Sequence, residues 1–248
     1  MKISIITVCF NSESTIVSTI QSVINQNYNN IEYIIIDGAS KDDTLNVINK
    51  FRTHISHFIS ESDKGIYDAM NKGISLATGE VIGILNSDDL FYDNTIISSI
   101  MDTFKNNEST DAVYGNIMYF NSGNADKIVR FWKTVPFYEG FFEDGFIMPH
   151  PALFIKKNVY EKIGTYYPYF KISSDYELML RAFRIHHFQP QYLNKIFVKM
   201  RMGGESTKSI KNVLVGNIEI YKSWKMNNLS MPLFFYFKRF LFKINQLF

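Results

Sequence analysis

The sequence predicts an α/β protein built on a mostly parallel, doubly wound sheet that carries a helical C-terminal tail. Three observations lead there. Short apolar runs alternate with stretches of helical period through the first hundred residues. The run Val81-Ile82-Gly83-Ile84-Leu85 lacks the polar alternation of a half-exposed strand and reads as one buried on both faces. A chain of 248 residues with 46% hydrophobic content can build one such body with an appendage, or two small domains.

The elements follow in order. Ile3–Phe10 is β-branched and strand-like, and Ser14–Gln26 places Ile16, Val17, Ile20, Val23 and Ile24 on one helical face. Ile31–Ile36 is the second strand and Thr44–Phe51 a short helix. His54–Ser60 is the third strand, and Gly65–Ala77 a helix carrying Ile66, Met70, Ile74 and Ala77. Val81–Leu85 is the fourth strand and Thr95–Phe104 the next helix. Beyond about residue 106 the pattern turns irregular, which predicts a mixed portion of the sheet. Asp111–Phe120 and Lys127–Trp132 flank the turn Asn121-Ser122-Gly123-Asn124. Phe137–Phe146 reads as an aromatic loop over a site. Ser174–Arg184 is a helix opened by a capping box of Ser174 and Glu177. Tyr192–Met200 is a strand, Arg201–Lys208 a loop and Ile210–Trp224 a helix. There is no repeat or linker. One body is expected, with a ligand-binding half at 1–106, a second half at 107–221 and a basic amphipathic tail at 222–248.

Composition excludes several classes. A net charge of +2 gives no basic stripe for nucleic acid. The charge is uneven, because 222–248 holds five basic residues and no acid, leaving 21 basic against 24 acidic residues elsewhere. The single cysteine, Cys9, excludes an intrachain disulfide and fits a reducing compartment. The apolar start reads as a strand rather than a signal peptide, and no stretch approaches a transmembrane span. Zinc-ligand spacing, a nucleophile elbow and a Gly-rich phosphate loop are all missing, which removes P-loop enzymes, dinucleotide oxidoreductases and common serine hydrolases.

The chemistry sits at strand ends. Asn86-Ser87-Asp88-Asp89 follows the fourth strand, and Asp37 ends the second. Ligands of open α/β sheets bind outside such carboxyl ends. Adjacent carboxylates repel unless a cation intervenes, and Mg²⁺ or Mn²⁺ carrying a diphosphate suits one or two carboxylates. Asp37 can accept from a base or a ribose hydroxyl, or it can begin a turn. Thr7, Cys9 and Asn11 line the same crevice, or form an ordinary strand end. Lys64 faces phosphate, or lies in a solvated loop. Asp68 and Asn71 cap or brace that loop. Asp175 is either a first-turn acid favoured by the helix dipole or a general base held at a helix start. His150 is an acceptor contact or a structural loop residue.

The tail Leu233–Phe248 sorts on a helical wheel. Lys238, Arg239, Lys243, Asn245 and Gln246 share one arc; Leu233, Phe237, Phe240, Leu241, Ile244 and Leu247 share the other. Phe235 and Phe242 break the polar face. This pattern suits an interfacial helix on anionic lipid, or a terminal helix docked on the domain or on a second subunit.

Four pieces in order resemble family 2 glycosyltransferases of the GT-A fold, especially the bacterial polysaccharide and colanic-acid-type group. They are Ser4-Ile5-Ile6-Thr7-Val8 with Asn11, Ile36-Asp37-Gly38-Ala39-Ser40, the run from Ser60 to Gly73, and Asn86-Ser87-Asp88-Asp89. The resemblance implies an inverting transfer from a nucleotide-diphosphate sugar, UDP-linked by preference, to a hydroxyl of a glycan or polyprenyl-linked acceptor. It implies that Thr7 and Asp37 hold the nucleoside, that Asp88 binds Mg²⁺ or Mn²⁺, and that Asp175 is the catalytic base. Asn86 stands where the motif's first acid is expected, leaving one fewer carboxylate. Gly203-Gly204-Glu205-Ser206 resembles a late loop over the diphosphate. The setting implied is the cytoplasmic face of the membrane, with peripheral contact through 233–248. Two other readings compete: a non-catalytic nucleotide-sugar-binding or scaffold subunit, and a sugar nucleotidyltransferase. The second would normally carry a Gly-rich, Arg-bearing loop where this chain has Asn11-Ser12-Glu13-Ser14.

Overall fold

The computed structural model describes residues 1–121, 124–203 and 209–244. The strands are β1 (Ile3–Cys9), β2 (Ile31–Asp37), β3 (His57–Ser60), β4 (Val81–Ile84), β5 (Leu90–Phe91), β6 (Ala112–Asn121), β7 (Asn124–Trp132), β8 (Leu153–Lys156) and β9 (Pro190–Arg201). The helices are α1 (Ile16–Ile24), α2 (Thr44–Asn49), α3 (Ile66–Leu76), α4 (Ile96–Asn106), α5 (Lys157–Ile163), α6 (Ser174–Met179), α7 (Ile210–Met226) and α8 (Phe235–Ile244).

All the strands join one sheet in the order β3-β2-β1-β4-β8-β6-β9-β5, with β7 beside β6. β1 pairs in parallel with β2 and with β4, so Ile6 lies between Ile34 and Ile84. β3 continues the parallel set. Beyond β4 the directions mix, because β8 runs antiparallel to β4 and to β6. The fold class expected from the sequence is therefore present, with the mixed portion on the later half of the chain.

Helices cover both faces, which explains the unbroken apolar runs of the strands. In β1, Ile3, Ile5 and Cys9 enter one core with α1, α2 and α4. Ile6 and Val8 enter the other, with α3, α5, α6, α7 and α8.

Four local expectations need correction. The third strand starts at His57, because Arg52–His54 form a 3₁₀ turn whose Arg52 side chain bonds the Ile55 carbonyl. Phe137–Phe146 is the loop expected, but its Phe141 and Phe142 are fully buried and plug the core. The Ser174–Glu177 capping box does not form. The Ser174 hydroxyl has no partner, and Glu177 is taken by a bidentate pair with Arg181 and by Asn227. The boundary at 221/222 falls inside α7, whose inner face at Gly216, Glu219, Ile220, Ser223 and Trp224 is buried. The helix begun at Ser174 also passes into a π-helical stretch over Leu180–Ile185.

Candidate active site

Sheet register gathers the site at one edge. β1, β2 and β4 are parallel, so Asn11, Asp37 and Asn86–Asp89 all emerge at their carboxyl ends. β8 opposes β4, with Gly83 across from Phe154, so the turn His150–Ala152 that precedes β8 lies at this same edge. β9 finishes there too, where the Arg201 amide donates to Asp89 Oδ1 at 3.3 Å.

The loops after β1 and β2 are knitted together. Asn11 and Ala39 both take left-handed backbone, φ 50° and 61°, a conformation Asn tolerates better than most residues. The Asn11 amide donates to Ser40 Oγ at 2.8 Å, and Asn11 Oδ1 accepts from the Lys41 amide at 2.9 Å. The buried Asp37 carboxylate accepts from the Ser40 amide (3.0 Å), the Ser40 hydroxyl, the Ser60 hydroxyl (2.7 Å) and the Cys9 thiol (3.6 Å). These contacts fill the roughly four lone-pair sites of a carboxylate, so a nucleoside contact at Asp37 has to displace a serine hydroxyl or a thiol. Burial and the Asp37 charge push the Cys9 thiol up, keeping it protonated as the donor. Thr7 is fully buried, and its hydroxyl is shared with the Tyr33 phenol at 3.1 Å. Its side chain thus has no surface to offer a ligand. Gly38 permits close approach, since a Cβ there would meet Asp63 Oδ2 at 3.0 Å. Phe10 stands exposed beside it.

Lys64 is exposed, and its amide is capped by Asp68 at 3.0 Å. A neighbouring cation is more engaged: Lys72 pairs with Glu61 at 2.9 Å and with Asp63 at 2.5 Å.

The acid pair divides its labour. Asp89 is fully buried and structural, accepting from Asn86 Nδ2 at 3.2 Å and from the Arg201 amide. Burial and the neighbouring Asp88 push its pKa well up. Asp88 remains partly exposed; burial raises its pKa while Arg201 opposes the rise. Asn86 is the informative residue. Its amide nitrogen is committed to Asp89, and its buried Oδ1 has no hydrogen-bond partner. Among the described residues no group of three or more His, Cys, Asp or Glu converges on a metal position. A hard cation needs only one or two protein oxygens when phosphate and water complete its shell. Asp88 and the orphaned Asn86 carbonyl fit that requirement.

Asp175 occupies the first turn of α6. Tyr67, in the first turn of α3, donates to Asp175 Oδ1 at 3.2 Å. Burial pushes the Tyr67 phenol well up, so it stays a donor. Tyr166 stacks on Tyr67 at 5.6 Å and meets the His150 ring at a tilt, 5.7 Å between centroids. Asn71 pins Tyr166 from both sides, donating to its carbonyl at 2.8 Å and accepting from its amide at 3.0 Å. Burial lowers the His150 pKa, countered by the nearby Asp175 charge, and His150 Nε2 has no partner.

Sequence reasoning missed Glu219. This buried α7 carboxylate accepts from the Lys171, Ile172 and Ser173 amides at 2.7, 2.9 and 2.9 Å. It caps the segment that delivers Asp175, the task expected of Ser174. The available signal was an acid inside Ile218-Glu219-Ile220, on the face that also carries Gly216 and Ser223. Arg239 was missed as a site residue as well. It reaches the same region from α8, with Cζ 6.0 Å from the Tyr176 ring centroid.

The sequence pattern of glycosyl transferase family 2 matches residues 4–164. The chain belongs to that family. An uncharacterized glycosyltransferase of Mycobacterium tuberculosis is 31% identical over 182 residues, covering 73% of this chain and 68% of that one. The Escherichia coli UDP-Glc:alpha-D-GlcNAc-diphosphoundecaprenol beta-1,3-glucosyltransferase WfaP is 38% identical over 99 residues, 40% of this chain and 39% of that one. Among solved structures, S. aureus TarS 1-349 in complex with UDP-GlcNAc superposes with a TM-score of 0.71 at 17% identity. That match covers 96% of this chain and 69% of TarS 1-349, and it establishes the shared GT-A architecture.

In this family member the tail docks by an unexpected seam. Phe235 is fully buried against Trp224 and Tyr176, and Phe242 meets Phe146 at 4.6 Å. The two residues that spoil the polar arc on the wheel are thus the ones that seat the helix, with Arg239 between them. Gly145 makes the contact close; a Cβ there would fall 2.8 Å from the Arg239 amide nitrogen. Lys238 pairs with Asp144 at 2.7 Å. The apolar arc faces outward, with Leu233 90% and Phe237 61% exposed. Ile210, Leu214, Ile218 and Tyr221 of α7 are also exposed, and Tyr236 ties the two helices by donating to the Asn217 carbonyl at 2.8 Å. No helix of the described residues is long and apolar enough to cross a membrane. Asn245, Gln246 and Leu247 of the expected arcs, and Gly204, Glu205 and Ser206 of the late loop, lie outside the described residues.

Proposed function

We propose that the chain is an inverting glycosyltransferase of the polysaccharide-building, colanic-acid-type group. It moves a sugar from a UDP-linked donor to a hydroxyl of a lipid-linked glycan. The observation that carries this reading is Asp175, fixed at a helix start by Tyr67 and by the Glu219-capped approach, with unsatisfied polar atoms around it. A carboxylate so held is a base for one incoming hydroxyl. It accepts the hydroxyl proton as the oxygen attacks the anomeric carbon, and the nucleoside diphosphate departs from the opposite face. Direct displacement by the acceptor inverts the configuration and needs no covalent intermediate.

The donor lies along the ends of β1, β2 and β4. Asp37 holds the loop that shapes the nucleoside pocket, with Cys9 and Asn11 maintaining it, while Lys64 stands free for phosphate. Asp88 and Asn86 Oδ1 would hold Mg²⁺ or Mn²⁺, which when bound would offset charge on the leaving diphosphate. The Asn86 carbonyl supplies an oxygen where the motif's acid is absent, so the substitution does not argue for a non-catalytic subunit. The names of WfaP and of the TarS complex support a UDP-sugar donor, and WfaP supports a diphospholipid-linked acceptor.

The outward apolar faces of α7 and α8 rest on the cytoplasmic leaflet, which would place the site beside a lipid-linked acceptor. Flotation with anionic vesicles checks this contact; unchanged binding after Phe237→Glu with Leu241→Glu contradicts it. The donor assignment is tested by thermal shift against UDP-, GDP-, CMP- and dTDP-sugars with and without Mn²⁺. The expected result is a metal-dependent rise of about 5–10 °C with a UDP-sugar, lost in Asp88→Ala. A shift that persists in Asp88→Ala would remove Asp88 from the donor site.

A further inference from the structure

The reaction above leaves Arg239 without a task. It sits on the inner seam of α8, within electrostatic reach of Asp175 and Tyr176. Its Nε is shielded from solvent and has no hydrogen-bond partner. Glu143 Oε1 pairs with Arg184 at 2.7 Å and Asp144 with Lys238 at 2.7 Å, so the acid whose charge Arg239 feels is Asp175. A guanidinium keeps its charge in a protein, and an N–H shielded from solvent without an acceptor is costly. Such a group is retained where a ligand supplies the anion, and its planar fork matches phosphate oxygens two at a time.

Two phosphate sources would approach this site. The donor diphosphate belongs at the end of β4, with Asp88, Asn86 and nearby Arg201. Arg239 instead adjoins Asp175, the group that faces the acceptor hydroxyl. Its helix also carries the exposed apolar face of Phe237, Phe240 and Leu241, so an acceptor phosphate at lipid headgroup depth arrives beside it.

Resting on the glycosyltransferase reading, we propose that Arg239 binds the diphosphate of a lipid-linked acceptor. The reacting sugar is then the one attached to that diphosphate, since Arg239 lies within electrostatic reach of Asp175. The acceptor class is a monosaccharide diphospholipid.

The test compares two short-chain acceptors that share one sugar and one alkyl chain, the first a 1-diphosphate ester and the second a plain alkyl glycoside. Wild type should prefer the diphosphate. Arg239→Gln should lower kcat/KM on it by about 10- to 100-fold, mainly through KM, so that the preference collapses, with donor KM moving less than about twofold. Arg239→Lys, which keeps the charge without the fork, should fall between. An equal loss on both acceptors, or a loss confined to donor KM, overturns the proposal. Direct titration of the diphosphate acceptor into wild type and Arg239→Gln reads the same preference without turnover, and equal affinities overturn it also. Failure of wild type to transfer from any donor, with the binding preference intact, counts against the glycosyltransferase reading and not against Arg239.

Discussion

The two ends of the site are built in opposite ways. Around Asp37 each carboxylate oxygen has partners, and the loops after β1, β2 and β4 are cross-linked by Ser40, Ser60 and the 2.8 Å contact of Ser12 with Ser87. Around Asp175, the buried His150 Nε2, Ser174 Oγ, Glu143 Oε2 and Arg239 Nε have no partner. A buried polar atom left unsatisfied costs about 1–3 kcal/mol. The Asp37 cradle is therefore finished before ligand arrives, while the Asn86 carbonyl and the Asp175 side keep unsatisfied atoms. Under the proposed function, this contrast sets a nucleotide cradle already bonded within the fold against an acceptor side whose polar atoms await a ligand.

Stability and activity should part along that line. The largest stability effect belongs to Asp37→Ala, which strands the Ser40 amide and two hydroxyls. A loss of about 2–4 kcal/mol, or about 6–12 °C in Tm, is expected in thermal melts. A change under about 2 °C would show the cradle to be looser than its bonds suggest. Glu219→Gln comes next. It keeps the side-chain shape but turns an NH₂ toward backbone amides, at a cost of about 1–3 kcal/mol. Steady-state assays should show kcat falling with donor KM steady, because the capped segment positions Asp175. An intact kcat would make Glu219 a purely structural residue.

The smallest effect is on pH. The His150 value is held below the ordinary 6.5 by burial, despite the Asp175 carboxylate and beside the Tyr166 ring. The unfolded chain then binds more protons than the folded one just below pH 6.5. His150 therefore contributes stability that is complete above 6.5 and is lost as pH falls toward the folded value. Melts from pH 7.5 to 5 should show a declining limb, flatter in His150→Gln; parallel limbs would mean another group titrates.

Much of this was legible in the sequence, for local reasons. Strands buried on both faces leave continuous apolar runs, and a parallel strand places its next residues at one edge, so Asp37 and Asp88 could be located unaided. The role proposed for Asp175 comes from the family resemblance, since a first-turn acid is ordinary. What stayed hidden depends on partners distant in sequence. Glu219 replaces the capping box only because α7 lies against the 171–173 segment. Phe235, Arg239 and Phe242 form a docking seam only because Gly145 leaves room for a backbone, and a helical wheel cannot say which arc faces in. Thr7 faces Tyr33 because strand alternation turns it toward the core with α1, a fact obscured in a run apolar on both faces.

The most direct measurement compares donor binding and sugar transfer in Asp175→Asn. The substitution preserves shape and leaves the donor cradle untouched. The expected result is a UDP-sugar thermal shift equal to wild type, a Tm within about 2 °C, and a transfer rate lower by about 10²–10⁴-fold, the usual share of a general base. Near-normal transfer would contradict the account, and so would loss of donor binding in step with activity.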